Sequence, residues 1–120
     1  MNLRFPKAEK LKSRKLIEQL FDEGDSFVAF PVKLFALPLE NVTASQATFA
    51  VPKRNFKTAV SRNRVKRQLR ECYRLHKEVL LSNNGAHYAL LFLYISKDNP
   101  QYAQLEDSIQ VLLTKLEQKK

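Results

Sequence analysis

The chain has 120 residues, 44% of them hydrophobic and only two of them glycine. That composition fits one folded domain with a modest core and excludes a disordered basic tail. The formal net charge is +9, and with no apolar run near the roughly 18 residues a spanning helix needs, it points to a polyanionic partner rather than a membrane.

In chain order, the first fifteen residues, MNLRFPKAEKLKSRK, hold six Lys/Arg and one Glu. This basic segment, residues 1–12 above all, is expected to be partly disordered without a partner. An amphipathic helix is predicted from near Ser13 to Glu23, carrying Leu16, Ile17, Leu20 and Phe21 at helical spacing, with Gly24 as its stop. The runs 26–30, 32–39 and 47–51 read as three strands of an antiparallel meander, with Pro38 at an edge or margin. A long helix is predicted from Thr58 or Ser61, both credible caps, to about Leu81, ended by SNNG at 82–85. HYALLFLYI, residues 87–95, is nearly continuous in apolar character and reads as a central strand. A last helix from about Tyr102 carries Leu105, Ile109, Leu112, Leu113 and Leu116 on one face. The order α-β-β-β-α-β-α implies an α+β two-layer sandwich forming a single domain, 1–120.

The charge excess is local. From Lys53 to Lys77 there are ten Lys/Arg and one acid, Glu71, while the basic and acidic groups elsewhere cancel. At 100° per residue, Val65, Leu69, Cys72, Tyr73, His76, Val79 and Leu80 share one apolar arc, suited to pack on a sheet. Arg62, Lys66, Arg70, Arg74 and Lys77 form a stripe starting at its margin. Asn63 and Arg67 widen that stripe, and Arg64 lies on the far side. Like charges four residues apart cost an isolated helix a few tenths of a kcal/mol per pair, and phosphates alongside would reverse that sign. Solubility alone requires no such stripe. Cys72 with two distant histidines cannot make a zinc finger, and the first helix is not followed by a helix-turn-helix turn. Binding by shape and charge favours structured RNA over duplex DNA.

No nucleophile–base pair and no metal-ligand spacing stands out in the sequence. The single cysteine precludes an internal disulfide, suits a reducing cytoplasm, and reads as a packed small hydrophobe. His76 reads as a packed histidine, and Glu106 with Asp107 as the acidic first turn of the last helix. No secretory signal is visible, so a cytoplasmic location is expected.

KRNFKTAVSRNRVKRQLREC resembles the signature of the bacterial ribonuclease P protein component. The residues that carry the resemblance are Lys53-Arg54, Lys57, Ala59, Arg62-Asn63-Arg64, Val65, Lys66-Arg67 and Leu69-Arg70-Glu71. The likeness extends along nearly the whole chain. It implies a ribosomal-protein-like sandwich with a left-handed β-α-β crossover around the signature helix. It also implies a noncatalytic subunit of an RNA-based endoribonuclease: the RNA subunit uses Mg²⁺ and cleaves, and the protein carries no catalytic residue and binds no cofactor of its own. The partners implied are the catalytic RNA and precursor tRNA, with no membrane and no obligate protein partner. Lys53, Arg54, Lys57, Arg62, Asn63, Arg64, Lys66, Arg67, Arg70 and Arg74 would bind RNA, Asn63 either donating to phosphate or capping a turn. Ile17, Phe21, Phe35 and Ala50 would line a cleft for the single-stranded 5′ leader. The alternative is a ribosomal or other structural RNA-binding module.

Overall fold

The computed structural model describes residues 10–40, 45–77 and 87–118. Helix α1 spans Arg14–Glu23, followed by strands β1 (Asp25–Ala29), β2 (Val32–Leu39) and β3 (Gln46–Ala50). Helix α2 (Ala59–His76), strand β4 (His87–Tyr94) and helix α3 (Tyr102–Gln118) complete the chain. The predicted end of the signature helix at Leu81 and the SNNG stop, with Val79 and Leu80 of its apolar arc, lie outside the described residues.

The expected meander does not form. The four strands lie in the order β1-β2-β4-β3, with β1–β2 and β2–β4 antiparallel and β3 parallel to β4. Residues Ala89 to Phe92 are buried whichever way they point, so β4 needs a neighbour on each edge. One neighbour is β2; the other is β3, and α2 supplies the long crossover that a parallel pair requires. Pro38 pairs with Tyr88, beyond the stretch Val32–Ala36 that β1 reaches. One side of β2 is therefore unpaired at Pro38, where a missing N–H costs nothing.

Strand alternation divides the apolar residues between two faces. On one face Val32, Leu34, Ala36, Ala47, Leu90, Phe92 and Tyr94 meet Val65, Leu69, Cys72 and Tyr73 of α2. Leu105, Ile109, Leu112, Leu113 and Leu116 of α3 join the same core, as their spacing predicts. On the other face α1 lies across the sheet, with Leu11 and Leu20 buried against Ala89 and Leu91. The edge strand β1 is tied to α3: Ser108 Oγ donates to the Phe30 carbonyl at 3.0 Å and Lys115 Nζ to the Val28 carbonyl at 3.1 Å. Those bonds occupy polar groups that an open edge would otherwise present.

Ser13, the predicted start of α1, is its cap, and of the two candidates Thr58 and Ser61 it is Thr58 that caps α2. Ser13 caps α1, its Oγ accepting from the Leu16 N–H at 3.2 Å, and Thr58 caps α2 by accepting from Ser61 N–H at 3.2 Å. Gly24 ends α1 for a reason the sequence does not display. Its backbone is extended, not left-handed, and a Cβ there would collide with the Leu20 carbonyl while crowding the Ala36 carbonyl at 3.3 Å. The glycine lets the chain pass tightly from helix into sheet.

Candidate nucleic-acid interface

The inner face of α2 fixes the direction of its outer face. Val65, Leu69, Cys72 and Tyr73 are buried. Tyr73 packs on Phe92 with ring centroids 5.4 Å apart, and Phe49 lies 5.5 Å from Phe92 in a nearly parallel stack. Phe56, just ahead of the helix, is buried against Tyr94 at 5.8 Å. Aromatic pairs of this kind contribute about 0.5–1.5 kcal/mol each beyond their buried area, so the helix cannot easily roll.

The ten expected RNA-binding residues divide into two groups. Lys53, Arg54, Lys57, Asn63, Arg64, Arg67 and Arg70 are exposed, and Lys66 is half-buried at the margin of the ridge. Arg62 and Arg74 are committed within the protein. Arg62 Nη1 donates to the carbonyls of Phe56 at 2.8 Å and Lys57 at 3.1 Å, bracing the turn that leads into α2. Arg74 forms an ion pair with Glu71, its Nε 3.2 Å from Oε2. The hydrogen bond from Arg74 holds the Glu71 carboxyl below the usual carboxylate range, against the opposing effect of burial. Lys77, the end of the expected stripe, is only 5% exposed. The stripe is thus shorter than its periodicity suggests, because both its ends serve the fold. Thr58 makes the cap, and Asn63 lies well inside the helix on its exposed side, so its capping role is not realised.

His76 is a corrected assignment as well. It sits between two helices rather than in the apolar core, with Nε2 3.1 Å from Glu106 Oε2 and Nδ1 3.1 Å from Gln110 Nε2. The Gln110 amide nitrogen faces Nδ1 and the Glu106 carboxylate faces Nε2, so the imidazole bridges α2 and α3 through both ring nitrogens. Glu106 and Asp107 fall beyond the first turn of α3, which contains no acid; Glu106 serves the α2–α3 contact instead. Cys72 is fully buried as expected, and burial pushes its thiol up to about 11. Among the described residues, no three His, Cys, Asp or Glu side chains form a group that could hold a metal ion. None of the described helices is long and apolar enough to cross a membrane.

The second expected surface is assembled on the α1 face of the sheet. Ile17, Phe35 and Ala50 are half-buried there together with Leu93. Phe21 is 50% exposed, its ring centroid 5.0 Å from that of Phe35 at a 58° tilt. Lys33 Nζ lies 5.0 Å from the centroid of the Phe35 ring. Together these groups offer aromatic surface flanked by a cation, a combination that suits bases joined by phosphates. Sequence reasoning missed Lys33 and Leu93. Period-2 spacing alone puts Lys33 on the face of Phe35, whereas Leu93 joins Ala50 only through the β3–β4 register.

An α+β sandwich with a cationic helix locked on one face and an aromatic cleft on the other defines a small nucleic-acid-binding protein. The family profile described as Ribonuclease P matches residues 5–117. The chain is 35% identical over 115 residues to the ribonuclease P protein component of Porphyromonas gingivalis strain W83, covering 92% of this chain and 84% of that one. It is also 35% identical over 122 residues to that of Chlorobium phaeobacteroides, covering 89% and 84%. Among solved structures, the RNase P protein of Staphylococcus aureus superposes with TM-score 0.72 at 20% identity, covering 92% of this chain and 96% of that one. That of Thermotoga maritima gives TM-score 0.73 at 20% identity, covering 89% and 96%. The chain belongs to the ribonuclease P protein component family, subunits of the ribonucleoprotein endoribonuclease that matures the 5′ end of tRNA.

Proposed function

We propose that this subunit acts in the cytoplasm by holding two RNA segments at once, leaving bond cleavage to the RNA subunit and its Mg²⁺. The exposed ridge of Lys53, Arg54, Lys57, Arg64, Lys66, Arg67 and Arg70, with Asn63 as a polar donor, binds phosphates of the catalytic RNA and of the precursor near its cut site. Guanidinium forks match paired phosphate oxygens, and each lysine acts as a point charge. The cleft of Ile17, Phe21, Phe35 and Ala50 receives the unpaired 5′ leader, its rings stacking on bases at about 1–3 kcal/mol apiece.

The observation that carries this reading is the exposed row of cations on a helix whose opposite face is immobilised in the core. Added positive charge lowers the repulsion between two RNAs brought together, so the contribution should be largest when Mg²⁺ is limiting. Lys66→Ala is the variant of choice, because Lys66 lines the ridge without the bonds that tie Arg62 to the α2 turn. In reconstitution with the catalytic RNA, it should slow 5′ maturation several-fold at limiting Mg²⁺ and little at saturating Mg²⁺. Its circular dichroism and thermal midpoint should match the parent. Unchanged maturation at every Mg²⁺ concentration would refute the reading. Comigration with ribosomal subunits, with no effect on cleavage, would instead favour a ribosomal RNA-binding module.

A further inference from the structure

Where the edge of β3 meets α2, a groove of about 240 Å³ is lined by Lys10, Leu11, Lys12, Ala47, Thr48, Phe49, Lys66 and Arg70. One wall is the segment leading into α1. Lys10 bridges to Ala47 in parallel register, the Leu11 N–H donates to the Ala47 carbonyl at 2.9 Å, and the Leu11 side chain is buried. The opposite wall is α2, whose Lys66 and Arg70 stand one turn apart. Four cations from two distant parts of the chain therefore converge on one depression, and among the described residues no carboxylate lines it. The convergence of Lys12, Lys66 and Arg70 favours entry of an anion.

We propose that this groove is a phosphodiester site in which Lys12 and Arg70, from opposite walls, hold the same RNA phosphate, with Lys10 and Lys66 completing the field. The location gives the site a purpose. The ridge lies on the α2 side of the sheet and the aromatic cleft on the α1 side, and the groove sits at the sheet edge between them. Thr48, on the α1 face, and Phe49, on the α2 face, both belong to its wall. An RNA strand bound on both surfaces would pass this edge. The inference rests on the RNA-binding reading above and adds to it the N-terminal segment and a shared phosphate.

Shared occupancy makes a prediction that general basicity does not. Each phosphate neutralised contributes about 0.7–0.9 to the slope of log K against log salt concentration. Lys12→Ala and Arg70→Ala should each lower the slope by about that one increment, and the double variant by no more than either alone. Lys12→Ala with Arg64→Ala, which faces away from the groove, should lose two increments. Titrating the full protein against the catalytic RNA alone, and the holoenzyme against precursor tRNA with and without its leader, shows which RNA supplies the phosphate. A non-additive loss in either arm supports the site. If Lys12→Ala leaves both slopes unchanged, or if its loss adds fully to that of Arg70→Ala, the groove proposal is overturned while the ridge stands. If Arg64→Ala, Lys66→Ala and Arg70→Ala also leave binding intact, the RNA-binding reading falls with it.

Discussion

Glu71 is the one acid among the ten cations between Lys53 and Lys77, and it acts on its neighbours as much as on the helix. By pairing with Arg74 it engages a half-exposed guanidinium and places negative charge beside Arg70. Glu71→Gln should release Arg74 and remove that local repulsion of phosphate. RNA affinity at low salt should rise several-fold and the salt slope should steepen, as filter binding or anisotropy would show. Cys72 permits a test of packing at the same scale. Its thiol, pushed up to about 11 by burial, holds its proton more tightly folded than unfolded. Its contribution to stability is therefore complete below the ordinary thiol pKa and is lost as pH rises through about 11. Native protein should resist thiol alkylation at mildly alkaline pH and react fully once urea unfolds it. Fast alkylation of the native state would show that α2 does not stay packed on the sheet.

At the scale of elements, the helix–strand joint at Gly24 carries more constraint than its loop-like sequence suggests. Any side chain there meets the Leu20 carbonyl, so α1 would have to shift from the sheet face where it covers Ala89 and Leu91. Gly24→Ala should cost roughly 2 kcal/mol, within the range for overpacking, measurable as a lowered urea midpoint. It should also weaken leader binding more than binding of the catalytic RNA, because Ile17 and Phe21 ride on α1. Arg62 shows the converse case of a cation that is part of the scaffold. Its two bonds to the Phe56 and Lys57 carbonyls connect the basic loop to the helix that continues the ridge, so its loss would mix structural and binding effects.

Over the whole molecule, the net charge of +9 is not spread evenly, and its placement determines how the protein meets RNA. The seven basic residues of the ridge, counted without Arg62, Arg74 and Lys77, set an upper bound on the phosphate contacts of the ridge itself. At about 0.7–0.9 per contact, full engagement predicts a salt slope of roughly −5 to −6, and the groove adds no further contact to that count, because the phosphate Lys12 holds is the one Arg70 already holds. A measured slope near −2 would mean that most of the ridge does not touch RNA. The two-face architecture would let so small a domain serve the two RNA segments proposed for it. The α2–α3 face of the sheet builds the main core, which frees part of the α1 face to remain an open, half-buried cleft.

Much of this was legible in the chain itself. Periodicity gives the buried faces of α2 and α3, because a helix in water must sequester its apolar arc wherever it docks. Side-chain chemistry marks the start of α1 near Ser13 and narrows the start of α2 to Thr58 or Ser61, and local charge density gives the ridge. These depend on residues within a few turns of one another. Strand order, the groove at the β3 edge and the burial of Lys77 were decided by tertiary structure, whereas Arg62 and Arg74 are held by local bonds, to the turn just ahead of α2 and to Glu71 three residues away. The short strands β1 and β3 carry no mark of which edge they will join. Only the burial of β4 on both faces, together with the crossover through α2, places β3 beside it. Once it is there, Lys12 and Arg70, separated in sequence by α1, three strands and most of α2, line the same groove.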